Sequence, residues 1–289
     1  MTAHFLIRHN LQFRYDAPVG GSVTTLHVSP VRNRRQVLHD ISIRTDPPGA
    51  IFGFTGPFGN RGHFFDRHGR HRRLRIRVRS SVEMAPPAPL PAQLALASWE
   101  ALRKDIATPD HWLMLQPSRF VRMSPSLARF VSRNRIGQDA DLLTSIRQLR
   151  STLYSAFEYA PGSTVVDSPI EHILEAGRGV CQDYAHVMAS ILRSWGIPTR
   201  YASGYLGPDG DDDQHSQSHA WVESWLPGFG WRGFDPANDC DCDERHIRVA
   251  VGRDYADVPP VRGTFRGNAD STLQTEVSVT RQEPNPTDS

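Results

Sequence analysis

The sequence predicts an α+β fold: a small all-β sandwich, then a core made of a helical block and an antiparallel sheet. Two changes of pattern carry that reading. Up to about residue 84 apolar residues alternate with polar ones, as in half-buried strands. After a proline-rich stretch they recur at helical spacing, and later alternation returns. With 289 residues, 38% of them hydrophobic, the chain can bury a core in each part.

Phe5, Ile7, Leu11, Phe13 and Tyr15 fall on one face of the first strand, and Leu74, Ile76, Val78 and Val82 repeat the pattern. Shorter strands are expected around 22–27, 38–44, 51–54 and 63–66, between turn signals such as Asp46-Pro47-Pro48-Gly49. Residues 1–84 thus make a β-rich N-terminal domain. Pro86, Pro87, Pro89 and Pro91 exclude helix and ladder from 85–92, which reads as a stiff linker. Helices are expected over 98–104, 124–134 and 141–159, the last with Leu142, Ile146, Leu149, Leu153 and Phe157 on one face. A further helix over 181–195 buries Tyr184, Val187, Met188 and Ile191 and stops at Gly196 and Pro198. Strands over 199–206, 219–226, 231–235, 247–251 and 273–280 complete a core assigned to 93–281, and 282–289 reads as a disordered polar tail.

Composition narrows the function. A net charge of +2 gives no bulk electrostatic case for nucleic acid, and the arginines between Arg67 and Arg79 alternate with Leu74, Ile76 and Val78 as on a solvated strand face. No stretch approaches the roughly 20 apolar residues of a membrane span, and the first residues lack a secretory pattern. A cytoplasmic protein is expected. Three cysteines, Cys181, Cys240 and Cys242, are too few for a disulfide framework.

The chemistry centres on Gly177-Arg178-Gly179-Val180-Cys181, a glycine turn that delivers a cysteine to the start of an amphipathic helix. Unpaired N–H groups and the helix dipole there favour thiolate. A thiol nucleophile needs a base, and the base needs a group to hold its tautomer. Cys181, His219 and Asp235 supply the three in order. His219 opens one strand and Asp235 closes the next, so both can project from one face only if the connecting loop is odd in length or bulged. A three-residue loop at Leu226–Gly228 would set them directly opposite. Trp221 shares the strand face of His219 and can either wall a substrate cleft or belong to the core.

The runs Gly179-Val180-Cys181-Gln182-Asp183-Tyr184-Ala185, Gly196-Ile197-Pro198, His219-Ala220-Trp221-Val222-Glu223 and Phe234-Asp235-Pro236 resemble the bacterial transglutaminase-like family. The likeness covers about Leu142 to Gly263, including Arg248-Val249-Ala250-Val251-Gly252-Arg253-Asp254-Tyr255-Ala256-Asp257-Val258. It implies a papain-like core with a Cys-His-Asp triad, often preceded by a β-rich domain. It also implies acyl transfer: Cys181 attacks a carboxamide carbon, His219 shuttles the proton, and the backbone N–H of Cys181 helps to hold the oxyanion. Gln182 and Trp221 are the candidate cleft residues, and the second oxyanion donor is unassigned.

The leading function is a thiol hydrolase acting on a peptide or protein substrate, without cofactor. The runner-up is a protein-glutamine transferase that passes the acyl group to an amine. A reading of another class is a non-catalytic peptide-binding module, against which stands the retention of all three triad candidates. No metal is expected: Cys240-Asp241-Cys242 with His246 lacks the second pair of usual zinc spacings. The acidic run from Asp209 to Asp213 lacks a glutamate at its twelfth position, where Ala220 stands, so it fails the EF-hand pattern. Its place before His219 makes it a candidate lip of the site.

Overall fold

A computed structural model describes residues 2–106, 108–209 and 218–282. Five strands open the chain: β1 (Ala3–Leu26), β2 (Gln36–Asp46), β3 (Phe52–Thr55), β4 (Arg61–Arg67) and β5 (His71–Met84). Residues Ala85 to Ala92 have no regular structure, as four prolines require. Arg147 straps this segment to the second half by donating to the carbonyls of Pro91 and Ala92 at 3.0 and 2.9 Å.

Helices α1 (Ser98–Asp105), α2 (Pro109–Leu113), α3 (Pro125–Arg133) and α4 (Leu142–Ala156) follow. Asp141 caps α4 by accepting from the N–H groups of Leu143 and Thr144. The helix ends at Ala156, short of Tyr159, because the chain turns there into a two-residue strand, β6 (Glu158–Tyr159). Next come α5 (Ile170–Ala176), β7 (Arg178–Gly179), α6 (Cys181–Ser194), β8 (Thr199–Leu206), β9 (Ser218–Leu226), β10 (Gly230–Asp235), β11 (Cys240–Asp241) and β12 (His246–Gly252). Strands β11-β10-β9-β8-β12 form an antiparallel five-stranded sheet against which α6 packs.

The chain then returns to where it began. β13 (Val261–Arg266) and β14 (Ser271–Gln282) both pair with β1. Residues 261–281, expected in the catalytic core, instead complete the N-terminal sheet. That sheet has seven strands, ordered β2-β5-β1-β4-β3 with β13 and β14 added along β1. The early part of β1 lies between β5 and β14 and its later part between β4 and β13, with register shifts after Arg14 and Gly20. Leu11, Leu74 and Ile76 from one arm meet Leu26 and Phe65 from the other in a shared apolar core. The sandwich therefore has two layers that share one strand.

The two halves share a second core. Phe5, Ile7, Leu38, Val82, Met84 and Val279 from the β domain join Ile146, Leu149, Tyr184, Met188 and Val222 in one buried cluster. Alternation along β1 explains this: its odd positions face the catalytic half at Phe5 and Ile7 and the inside of the sandwich at Leu11, Tyr15 and Val19, and past the shift at Gly20 the buried positions become even, Ser22, Thr24 and Leu26.

Candidate active site

The glycine turn before Cys181 is sterically required. Gly177 ends α5 at φ 68°, in the left-handed region that favours glycine. At Gly179 a Cβ would lie 2.7 Å from Ile173 Cδ1 and 2.9 Å from Asp183 Oδ2. Asp183 turns back to accept from the Val180 N–H at 2.9 Å and from the Thr164 hydroxyl at 2.7 Å, fixing the first turn of α6. Cys181 is the first residue of that helix, so its N–H belongs to the group without an intrahelical acceptor.

His219 and Asp235 meet beside it. Leu226 pairs with Gly230 and Phe234 with Val222, so the hairpin loop is the three residues Pro227–Phe229. Parity is as the sequence demands, but the register lies one residue further along than a Leu226–Gly228 loop would give. Asp235 is consequently level with Trp221, diagonal to His219, and still close enough for its Oδ2 to accept from His219 Nε2 at 2.6 Å. The other imidazole nitrogen is left for Cys181, which lines the same cavity and whose charge acts on the ring. Burial disfavours the imidazolium, but the Asp235 and Cys181 charges outweigh it and raise the pKa of His219 to about 10. Asp235 is 0% exposed. Burial opposes its charge too, yet His219 and His246 hold its carboxyl far below the usual range.

The carboxylate is fully engaged. It accepts from His219, from His246 Nε2 at 3.2 Å, from Asn238 Nδ2 at 2.7 Å, and from the Ala237 and Asn238 N–H groups at 2.9 and 3.3 Å, five donors in all. His246 is itself buried and its Nδ1 lies 3.0 Å from Asp243 Oδ1, so one imidazole bridges two carboxylates. In sequence His246 stands out only as a possible metal ligand, and its contact with Asp235 is set by the fold. His219, Asp235 and His246 offer ligand atoms within 4.8 Å of one another, but each is already committed to these hydrogen bonds. The other such group among the described residues, His4, His39 and Glu83, lies on the N-terminal sheet away from the site.

Tyr159 is a second residue the sequence did not disclose. β6 pairs in parallel with β7, with Tyr159 opposite Gly179, and this brings the tyrosine to the cavity that Cys181 lines, close enough for the two groups to influence each other electrostatically. Burial and the neighbouring Cys181 push its pKa upward, so it is a phenol that donates.

A cavity of about 510 Å³ opens over the thiol. Gln182 lines it, with its amide donating to the Val166 carbonyl at 3.0 Å. Trp221 does not line it. At 1% exposure it packs behind His219 among Ala202, Val251, Phe58 and Cys242, and its ring stacks on His219 at 6.2 Å. Alternation correctly put the two on one strand face, but that face is dry at Trp221. The expected acidic lip lies almost wholly outside the described residues, Asp209 apart; Asp209 pairs with Arg245 at 2.9 Å. Among the described residues no helix is long and apolar enough to cross a membrane.

Known proteins share both halves. Residues 130–236 match the transglutaminase-like superfamily, and residues 5–83 match the bacterial transglutaminase-like N-terminal region. An uncharacterized Mycobacterium leprae protein is 31% identical over 94% of this chain and 97% of its own length. A protein-glutamine gamma-glutamyltransferase of Pseudomonas aeruginosa is 31% identical over 60% of this chain and 28% of its own. A crystal structure from Cytophaga hutchinsonii, of a candidate cysteine protease, superposes with a TM-score of 0.76 over 99% of this chain and 93% of that one at 21% identity, which shows a common fold. The chain belongs to the transglutaminase-like superfamily and carries the bacterial transglutaminase-like N-terminal region ahead of its core.

Proposed function

We propose that the protein is a cysteine-nucleophile acyl-transfer enzyme that cleaves a peptide or amide bond through a thioester and releases the acyl group to water. The observation that carries this reading is the placement of His219, bonded to Asp235 at 2.6 Å, on the same cavity as Cys181 at the start of α6. The Cys181 thiolate attacks the carbonyl carbon, forming the C–S bond. The His219 imidazolium then protonates the leaving amine as the C–N bond breaks. Oxyanion charge falls near the Cys181 N–H and the Tyr159 hydroxyl, the donor missing from the sequence reading. In the second half-reaction His219 takes a proton from water, hydroxide adds to the thioester, and the C–S bond breaks to restore the thiolate.

Transfer to an amine is the second reading, favoured by the likeness to the Pseudomonas aeruginosa gamma-glutamyltransferase. Against it, the described cavity wall has no acidic side chain to seat a lysine ammonium. Incubation with glutamine peptides, with and without a primary amine, separates the two. Free acid is the expected main product even with amine present, whereas a dominant amine adduct makes the protein a transferase. Absence of both products, with Cys181 no more reactive to iodoacetamide than a free thiol, makes it a binding module.

A further inference from the structure

We infer that the N-terminal sheet is the selective wall of the active-site cleft, and that the acyl side it admits is uncharged and apolar. The inference rests on the acyl-transfer reading of Cys181. The cavity over the thiol lies between the two halves: β1 contributes His9 and Leu11, β14 contributes Leu273 and Thr275, and the catalytic half contributes Tyr159, Val166, Tyr201 and Tyr255 among others. Among its described lining residues there is no Asp, Glu, Lys or Arg, although these types make up 22% of the chain. A wall drawn at random from this sequence would carry several.

Exposure points the same way. Tyr159 is 41% exposed, Val166 53% and Leu273 45%, and all three converge on this cavity. Apolar side chains left wet around a nucleophile mark a surface that a ligand covers. The ionisable group that the β domain turns toward the cavity, His9, is kept neutral: burial lowers its pKa to about 4. Its ring also joins the halves, with Nδ1 3.0 Å from the Tyr205 hydroxyl on β8 and Nε2 3.1 Å from Thr275 Oγ1 on β14. The register holds Leu11 opposite Thr275 and Phe13 opposite Leu273, so the wall is part of a ladder rather than a loop. A carboxylate or ammonium beside this wall would lose hydration and find no counter-charge among the residues that β1 and β14 turn into the cavity, so selection works by rejecting charge.

The test uses the intact chain and three chloroacetyl-capped dipeptides that differ in one side chain, leucine, glutamate or lysine, with Cys181→Ala as the blank. Alkylation of Cys181 is followed by intact mass, and each rate is divided by the iodoacetamide rate of the same protein. The leucyl probe should react at least about tenfold faster than either charged probe. Leu273→Arg, at a half-exposed position, should shift the ratio of glutamyl to leucyl rates toward the glutamyl probe. Equal normalised rates for all three probes, or an unchanged ratio in Leu273→Arg, would overturn the inference while leaving the nucleophile intact. Slow reaction with every reagent, iodoacetamide included, would instead remove the acyl-transfer reading and the inference with it.

Discussion

The two sides of the His219–Asp235 pair are built from opposite materials. On the thiol side, Cys181 and His219 apart, the described cavity wall holds no Asp, Glu, Lys or Arg. Behind the pair lies a second cavity of about 530 Å³, lined by Arg35, Glu223, Arg248, Asp243 and His246 together with Trp221. Glu223 is buried there against two arginines: Oε2 accepts from Arg200 Nε at 2.8 Å and from Arg248 Nη1 at 2.9 Å. The difference separates two tasks. His246 and Asp243, which support Asp235, come from the rear, where they touch no substrate, and the front is left free to desolvate what it binds.

Asp235→Asn breaks this arrangement most severely. It leaves His219 without its counter-charge and should lower the amide-cleavage rate by about 10⁴-fold, as loss of a triad carboxylate does elsewhere. The pH profile adds a signature. His219 must be protonated to release the amine, so the native enzyme should hold its rate until pH nears the pKa of about 10. In Asp235→Asn the alkaline limb should fall toward about 6.5, the ordinary histidine value. An unmoved limb in initial-rate measurements would mean that Asp235 does not set the charge on His219. Stability follows the same sign: the raised pKa contributes fully below about 6.5, and that contribution disappears as pH climbs through 10.

Glu223→Gln should separate the rear from the front. Removing one member of a buried ion cluster costs about 3–5 kcal/mol, because the arginines stay buried without a partner. Thermal unfolding should show that loss at neutral pH, while the native fraction keeps its rate of Cys181 alkylation. Burial opposes ionisation of Glu223, but Arg248 and Arg200 hold its pKa down to about 2. Its stabilisation is therefore present above the usual carboxylate range and lost as pH falls toward 2. The variant should be correspondingly less sensitive to acid between those limits.

His246→Leu is the mildest of the three. Asp235 would keep four of its five donors, and Asp243 would lose an imidazole contact. A cost of about 1–3 kcal/mol is expected from denaturant midpoints. Its effect on cleavage rate should be well below that of Asp235→Asn. Equal rate losses would promote His246 from support of the aspartate to an equal member of the catalytic series.

The parts of this site legible in sequence are those fixed by local chemistry. A glycine turn, a helix start and two strand ends announce Cys181, His219 and Asp235 because each is set by its own neighbours. The errors, the hairpin register apart, concern partners chosen across the fold. Alternation could not tell that the face of Trp221 is dry, since the residues covering it, Val251 and Phe58, come from distant segments. Tyr159 is brought to the thiol by a two-residue parallel bridge too short to leave a periodic signal. The strand over 273–280 was visible, but a strand pattern does not name its sheet. The hairpin register slipped by one residue because Gly228 and Gly230, both at positive φ, move the turn past Leu226.

The return of β13 and β14 to β1 gives the chain a nested architecture. Strands β1 to β5 begin the β domain and the last two finish it, so everything from 85 to 260 is an insertion between them. A fragment starting at the linker would carry residues 261–282 without their partner and present unpaired strand edges, an invitation to aggregate. His4 stands opposite Gln282 in the same ladder. Joining those neighbouring ends and reopening the chain at an exposed turn would permute the protein while keeping the cleft and its wall on one polypeptide.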